Sequence, residues 1–349
     1  MPFSHALKLP EGPDADTPHT VIFIDVDGVL NIGARDAAGG APFLFSDTSV
    51  EQAWRFAKSK GPQAKLECVQ KLVAIDKRKL GPGEEGTLGK FASTSPCDVS
   101  PILTERLAQL IRAAGTNRTV VLCSSWRRPQ HRLRMAWLEQ EISRHLGTDF
   151  AFDERTPLRD DSVAEERVRC IGDFLESLRV LPKGGLQLLV LEDFFITPLK
   201  GWSCDGVEVK NTEVIEQYLL RRLPASASAV ARVVHTFDEW KTPNGLEVQA
   251  GIGLTMENLT KAMDFLNGGD TSCGSTLASS VISSDSEEAP PRRVYVNART
   301  GSKEQLAKET ASKKPWEEVC TPSERARRSW LERLSATLPR LSVTSRRSL

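Results

Sequence analysis

Two aspartates one residue apart, Asp25 and Asp27, close the apolar run Val21–Ile24 in the stretch VIFIDVDGVLN, and a glycine follows at once. In extended backbone, residues two apart point the same way, so both carboxylates head for one small volume. Two neighbouring anions call for a cation. Magnesium suits them: it takes oxygen ligands, keeps several waters, and is commonly held by one or two carboxylates together with a substrate phosphate. Gly28 permits a sharp turn that a side chain would obstruct, although Asp and Gly also make ordinary turns. Three further groups can join the pair: SSWR (Ser124–Arg127), ERVR (Glu166–Arg169) and the acids Glu192–Asp193. A nucleophile, a hydroxyl, a cation and a metal-binding acid are the parts that phosphoryl transfer requires.

The elements around these groups alternate short apolar runs with longer amphipathic segments. VIFI (21–24), TVVLCS (119–124), LQLLVL (186–191) and AVARVVHTF (229–237) read as strands. Between them, the segments 102–115, 131–147 and 163–181 repeat apolar residues at three and four, and the first two end at glycine. That alternation predicts an α/β fold with a mostly parallel, Rossmann-like sheet and helices on both faces. Ligands of such sheets sit outside the carboxyl ends of the strands, which is where the polar groups fall.

Charge divides the chain. The 349 residues balance 46 Lys/Arg against 46 Asp/Glu, yet residues 290–349 hold 14 Lys/Arg against 6 Asp/Glu, so residues 1–289 carry 32 against 40. The tail is basic and the body acidic. Residues 271–286 contain seven serines and run into DSEEAPP (285–291), a composition expected to stay disordered as a linker. The division is therefore an extension (1–19), a catalytic body (20–267) and a low-complexity linker with a basic tail (268–349). In the tail, TPSERARRSWLERLSATL fits a capped amphipathic helix over 322–338 that suits RNA, an anionic membrane, a protein partner or the acidic body itself. No run is apolar for the length of a signal peptide or membrane span, and seven scattered cysteines form no CxxC pair, so an intracellular, cytoplasmic or nuclear protein with reduced thiols is expected.

The apolar strand followed by DVDG and an apolar pair resembles the first motif of the haloacid dehalogenase superfamily of phosphohydrolases. Within it, DVDGVLN, SSWR, Thr156-Pro157, an arginine-bearing helix, an acidic pair and Gly253-Leu254-Thr255 follow the order seen in the haloacid dehalogenase domains of Swiss Army Knife RNA repair proteins. The likeness spans residues 20–267. It departs from the superfamily pattern at Glu192, where an aspartate is usual, and at residues 43–98, an insertion after the first strand where relatives place a cap. FSDTSVEQAWRFAKSKG in that insertion reads as a helix capped near Asp47 or Thr48, whereas the Gly- and Ser-rich stretch 81–98 shows no periodicity and suits a mobile lid or a disordered insertion.

The resemblance implies roles. Asp25 is the nucleophile that forms an aspartyl phosphate, and Asp27 protonates the leaving oxygen and then activates water. Mg2+ is held by Asp25, the Asp27 main chain and Asp193, with Glu192 beside them. Ser124 or Ser125 supplies the second-motif hydroxyl, and Arg167, Arg169 or Lys183 the third-motif cation. Gly28, Ser125, Trp126 and Arg127 border the substrate, although Trp126 also suits simple packing and Arg127 a surface charge. The implied substrate is a phosphate monoester, either a small metabolite or a nucleic-acid end. The other class of function open to the sequence is a non-catalytic binding or scaffold protein that has kept the fold.

Overall fold

Continuous apolar runs fold as strands buried on both faces, and three of them build the centre of this protein. The structure is a computed structural model describing residues 7–9, 17–35, 43–58, 67–94, 96–159, 163–194 and 202–268. Its strands are β1 (Leu7–Lys8), β2 (His19–Ile24), β3 (Gly33–Ala34), β4 (Phe43–Leu44), β5 (Arg118–Leu122), β6 (Glu154–Arg155), β7 (Leu178–Val180), β8 (Leu186–Glu192), β9 (Trp202–Cys204), β10 (Val207–Val209), β11 (Ala229–His235), β12 (Phe237–Lys241) and β13 (Glu247–Gly251). The helices are α1 (Asp47–Lys58), α2 (Glu67–Lys77), α3 (Pro101–Ala113), α4 (Arg132–Leu146), α5 (Ala164–Ser177), α6 (Thr212–Leu220) and α7 (Met256–Leu266).

The central sheet runs β11-β8-β2-β5-β6, with every neighbouring pair parallel. Alternation along its strands divides the interior into two cores. Ile22, Ile24, Val120, Leu122, Leu189 and Leu191 face one way, onto α2, α3, α4 and α7. Val21, Phe23, Val121, Leu188 and Val190 face the other, onto α5 and α6. The α/β class with a mostly parallel sheet flanked by helices is thus the observed one.

The single strand expected over 229–237 is two. The ladder of β11 ends at His235, and buried Thr236 turns the chain into β12. β12 joins an antiparallel sheet, β12-β13-β3-β4, that sits over the carboxyl ends of the central strands. Within the described part of 81–98, where a mobile lid or a disordered insertion is expected, several side chains are packed against the body. Leu88 and Phe91 are buried, and Glu84 pairs with Lys90 (2.7 Å) and Arg106 while accepting the Met256 backbone N–H (2.9 Å). Two apolar anchors and a carboxylate with three donors fix a segment that lacks helical or strand period. The linker and tail, including the helix expected over 322–338, lie outside the described residues. Among those described, five cysteines form no disulfide and no helix is long and apolar enough to cross a membrane.

Candidate active site

The first loop is shaped by its glycine. β2 ends at Ile24, and at Gly28 the backbone enters the left-handed region (φ 83°), where a side chain would be strained. A Cβ there would also land inside the Asp193 carboxylate. The Gly28 carbonyl is held by the Thr236 hydroxyl (2.8 Å) and the Gly253 N–H (3.0 Å), and Leu254 N–H donates to Val29 O (3.0 Å). The role of the Gly253-Leu254-Thr255 stretch is therefore mechanical, because it pins the turn that carries the aspartates.

Neighbouring β8 ends in Glu192 and Asp193, both buried. Asp25, Glu192 and Asp193 each offer a carboxylate oxygen, all within 4.8 Å of one another. The α5 side chain of Arg167 enters between them. Its guanidinium pairs with Asp25, with both oxygens of Glu192 (3.2 Å from Nε to Oε1) and with Asp193 Oδ1 (3.3 Å). A second guanidinium, Arg35, donates through Nε to Asp193 Oδ2 (3.2 Å) and pairs with it again through Nη2. Burial alone would lower both arginines, but the carboxylates outweigh it and hold them charged, above their ordinary range. Burial pushes the Glu192 carboxyl up, against the pull of Arg167.

Asp27 stands apart from this triad. Asn31 Nδ2 donates to its Oδ1 (3.0 Å) and Trp126 Nε1 to its Oδ2 (3.1 Å). Burial raises its pKa despite those donors, so a proton is held more readily there than on an ordinary aspartate. The expected convergence of both aspartates on one volume fails because the pairing ladder stops before Asp25, and residues two apart share a face only while the chain stays extended.

No family model, curated protein sequence or solved structure matches this chain. What the site can do therefore rests on its own chemistry. Three carboxylates (Asp25, Glu192, Asp193) face two guanidinium groups (Arg35, Arg167), an excess of one negative charge in a largely buried volume. A hard divalent cation fits that excess and the all-oxygen donor set.

The structure separates the sequence candidates. Of the three basic residues considered, Arg167 lies among the carboxylates. Arg169 pairs instead with Glu166 and Asp205 (3.1 Å) on the outer side of α5, and Lys183 is exposed. Ser124 is buried, its Oγ accepting the Trp126 N–H (3.3 Å) at the start of a 3-10 turn, whereas Ser125 is half-buried. Arg127 is not a surface charge. Buried, it donates to the carbonyls of Cys123 (2.8 Å), Ser124 (2.6 Å) and Pro157 (3.1 Å), tying the end of β5 to the loop after β6. Trp126 is buried too, but its indole N–H reaches Asp27. Arg35 and the roles of Asn31 and Trp126 were not anticipated. Asn31 closes the DVDGVLN stretch and could have been singled out from it. Arg35 has no local signal, since pairing between β3 and β13 is what carries it to Asp193.

Proposed function

We propose that this protein is a magnesium-dependent phosphohydrolase that works through an aspartyl phosphate. The observation carrying this reading is the division of labour among the carboxylates: a buried triad threaded by Arg167, and beside it Asp27, whose burial favours the protonated form. The triad's carboxylates are paired with a guanidinium while the neighbouring carboxyl holds a proton more readily, a division that suits acid–base chemistry at a phosphoryl group. The similarity to haloacid dehalogenases, drawn from the motifs, agrees with this assignment.

In this reading Asp25 attacks phosphorus and the leaving oxygen takes the Asp27 proton. Asp27, now ionised, removes a proton from the water that hydrolyses the aspartyl phosphate. Arg167 fixes the Asp25 carboxylate and stabilises negative charge growing beside it. Asp25 and Asp193, with the Asp27 main-chain carbonyl, are the groups that would hold Mg2+, and the ion would supply charge neutralisation of the phosphoryl oxygens. Glu192 orients Arg167 and donates no step. Ser124 and Ser125 remain the hydroxyl candidates for the phosphoryl group. The substrate class is a phosphate monoester, with small metabolites and nucleic-acid ends as its two members.

The test is hydrolysis of p-nitrophenyl phosphate with Mg2+. Turnover should vanish reversibly with EDTA and be abolished in Asp25→Asn, and Asp193→Ala should raise the Mg2+ concentration required. Wild-type turnover in Asp25→Asn would end the covalent mechanism. A folded chain that binds phosphate or beryllium fluoride but turns over no ester would be a binding module.

A further inference from the structure

Nothing in a phosphoryl-transfer scheme explains why a tryptophan is buried against the Asp27 carboxylate. Its indole donates to Oδ2 (3.1 Å), and its ring is clamped from two further directions. The Arg134 guanidinium lies 4.6 Å from the ring centroid, and the His131 imidazole stacks at 6.3 Å with an interplanar angle of 14°. Arg134 is itself tethered by an ion pair to Asp98, a non-glycine residue in the left-handed backbone region (φ 54°). The Asp98 carbonyl accepts from Asn31 Nδ2 (3.2 Å), the same amide nitrogen that donates to Asp27 Oδ1. Asn31 is fixed the right way round, because its Oδ1 accepts the Gly28 N–H (3.0 Å).

From this network we infer that Trp126, braced by Arg134, is a positioning residue that aims the Asp27 proton at the leaving group. The reasoning is one of hydrogen-bond inventory. An indole N–H can only donate, and Asn31 presents its donor end, so neither neighbour can accept a proton from Asp27. When Asp27 carries the proton that the phosphohydrolase reading gives it, its O–H is therefore left for a partner outside the pair. With both oxygens already engaged, rotation about the carboxylate bond would break two hydrogen bonds, and the direction of that O–H is set by the protein. The inference rests on the phosphohydrolase reading. As the bond from phosphorus to the leaving oxygen breaks, that oxygen keeps the electron pair and takes the proton. Asp27 is left ionised, and it regains a proton from the hydrolytic water.

An alkyl leaving group, whose alkoxide is strongly basic, needs that proton far more than a nitrophenolate does. The full chain with Mg2+ should therefore be compared on glycerol phosphate and p-nitrophenyl phosphate through kcat/KM, which reports the step that expels the leaving group. Trp126→Phe keeps the ring and removes the donor. It should lower kcat/KM for the alkyl ester at least tenfold further than for the aryl ester, within the range of about 10²–10⁴ assigned to a general acid. Arg134→Gln, which loosens the brace without touching the indole, should show the same bias to a smaller degree and guards against a Trp126→Phe chain that fails to fold. Independently of turnover and metal, the Trp126 indole ¹⁵N–¹H resonance, identified among the seven tryptophans by its loss in Trp126→Phe, should move in Asp27→Asn. Equal loss on both esters, or an indole resonance unmoved in Asp27→Asn, overturns the positioning role. A wild type inactive on both esters, with that resonance still shifting, would instead sink the phosphohydrolase reading and leave the contact standing.

Discussion

Replacing Arg167 by glutamine should damage stability as well as activity, by an amount the structure lets one estimate. The guanidinium is 13% exposed and its three partners, Asp25, Glu192 and Asp193, are at most 4% exposed, so little solvent is at hand to screen them. Removing one partner of a buried ion pair costs about 3–5 kcal/mol, because the remaining charge stays buried. For a body of this size that corresponds to a fall in Tm of about 6–20 °C, at about 2–4 °C per kcal/mol. Two further effects follow from the same electrostatics. Mg2+ should stabilise Arg167→Gln more than the wild type, since the surplus negative charge grows when the guanidinium is lost and a ligand that binds only the folded state stabilises it. The penalty should shrink as pH falls. Burial already raises the Glu192 carboxyl, and a proton there takes over part of the missing cation's work. Thermal melts with and without Mg2+, at neutral and mildly acidic pH, measure all three. A Tm drop under about 2 °C at neutral pH, against the range expected from a broken buried pair, would show that these carboxylates do not depend on Arg167.

Gly28→Ala should destabilise by more than the about 1–2 kcal/mol expected of a left-handed backbone alone, because its Cβ would occupy the space of the Asp193 carboxylate; urea unfolding unchanged from wild type would contradict that geometry. Asp27→Asn should cripple turnover, and its stability relative to wild type should rise with pH. The folded-state pKa of Asp27 is raised, so the native chain binds its proton more tightly than the unfolded one, and stability is lost as pH rises from the ordinary carboxyl range through the folded pKa. A neutral amide escapes that loss, although its NH2 faces a donor, Asn31 Nδ2 or the Trp126 indole, at a cost that does not change with pH. Unfolding free energies across pH decide it, and a difference from wild type that stays constant or falls as pH rises would reverse the sign.

The sequence by itself determined the parallel sheet and the charged groups at its carboxyl ends. A strand buried on both faces has to be continuously apolar, so VIFI, TVVL and LQLLVL could be read without knowing their partners. Asp25, Glu192 and Asp193 could be read for the same reason, as charges directly after such runs. The insertion was harder to read, because Leu88, Phe91 and Glu84 are fixed by contacts of no regular period. Which side chains complete the site was decided by tertiary structure alone. The bonds concerned join Asp27 to Trp126 across 99 residues, Asp25 to Arg167 across 142 and Asp193 to Arg35 across 158. Arg167 and Arg169 are two residues apart on one helix. Their different fates follow from a rotation of about 200° between them around the helix axis, which turns the first inward to the acids and the second out to Glu166 and Asp205. Arg127 turned inward because the carbonyls of Cys123, Ser124 and Pro157, ending β5 and following β6, have acceptor capacity that its guanidinium fills.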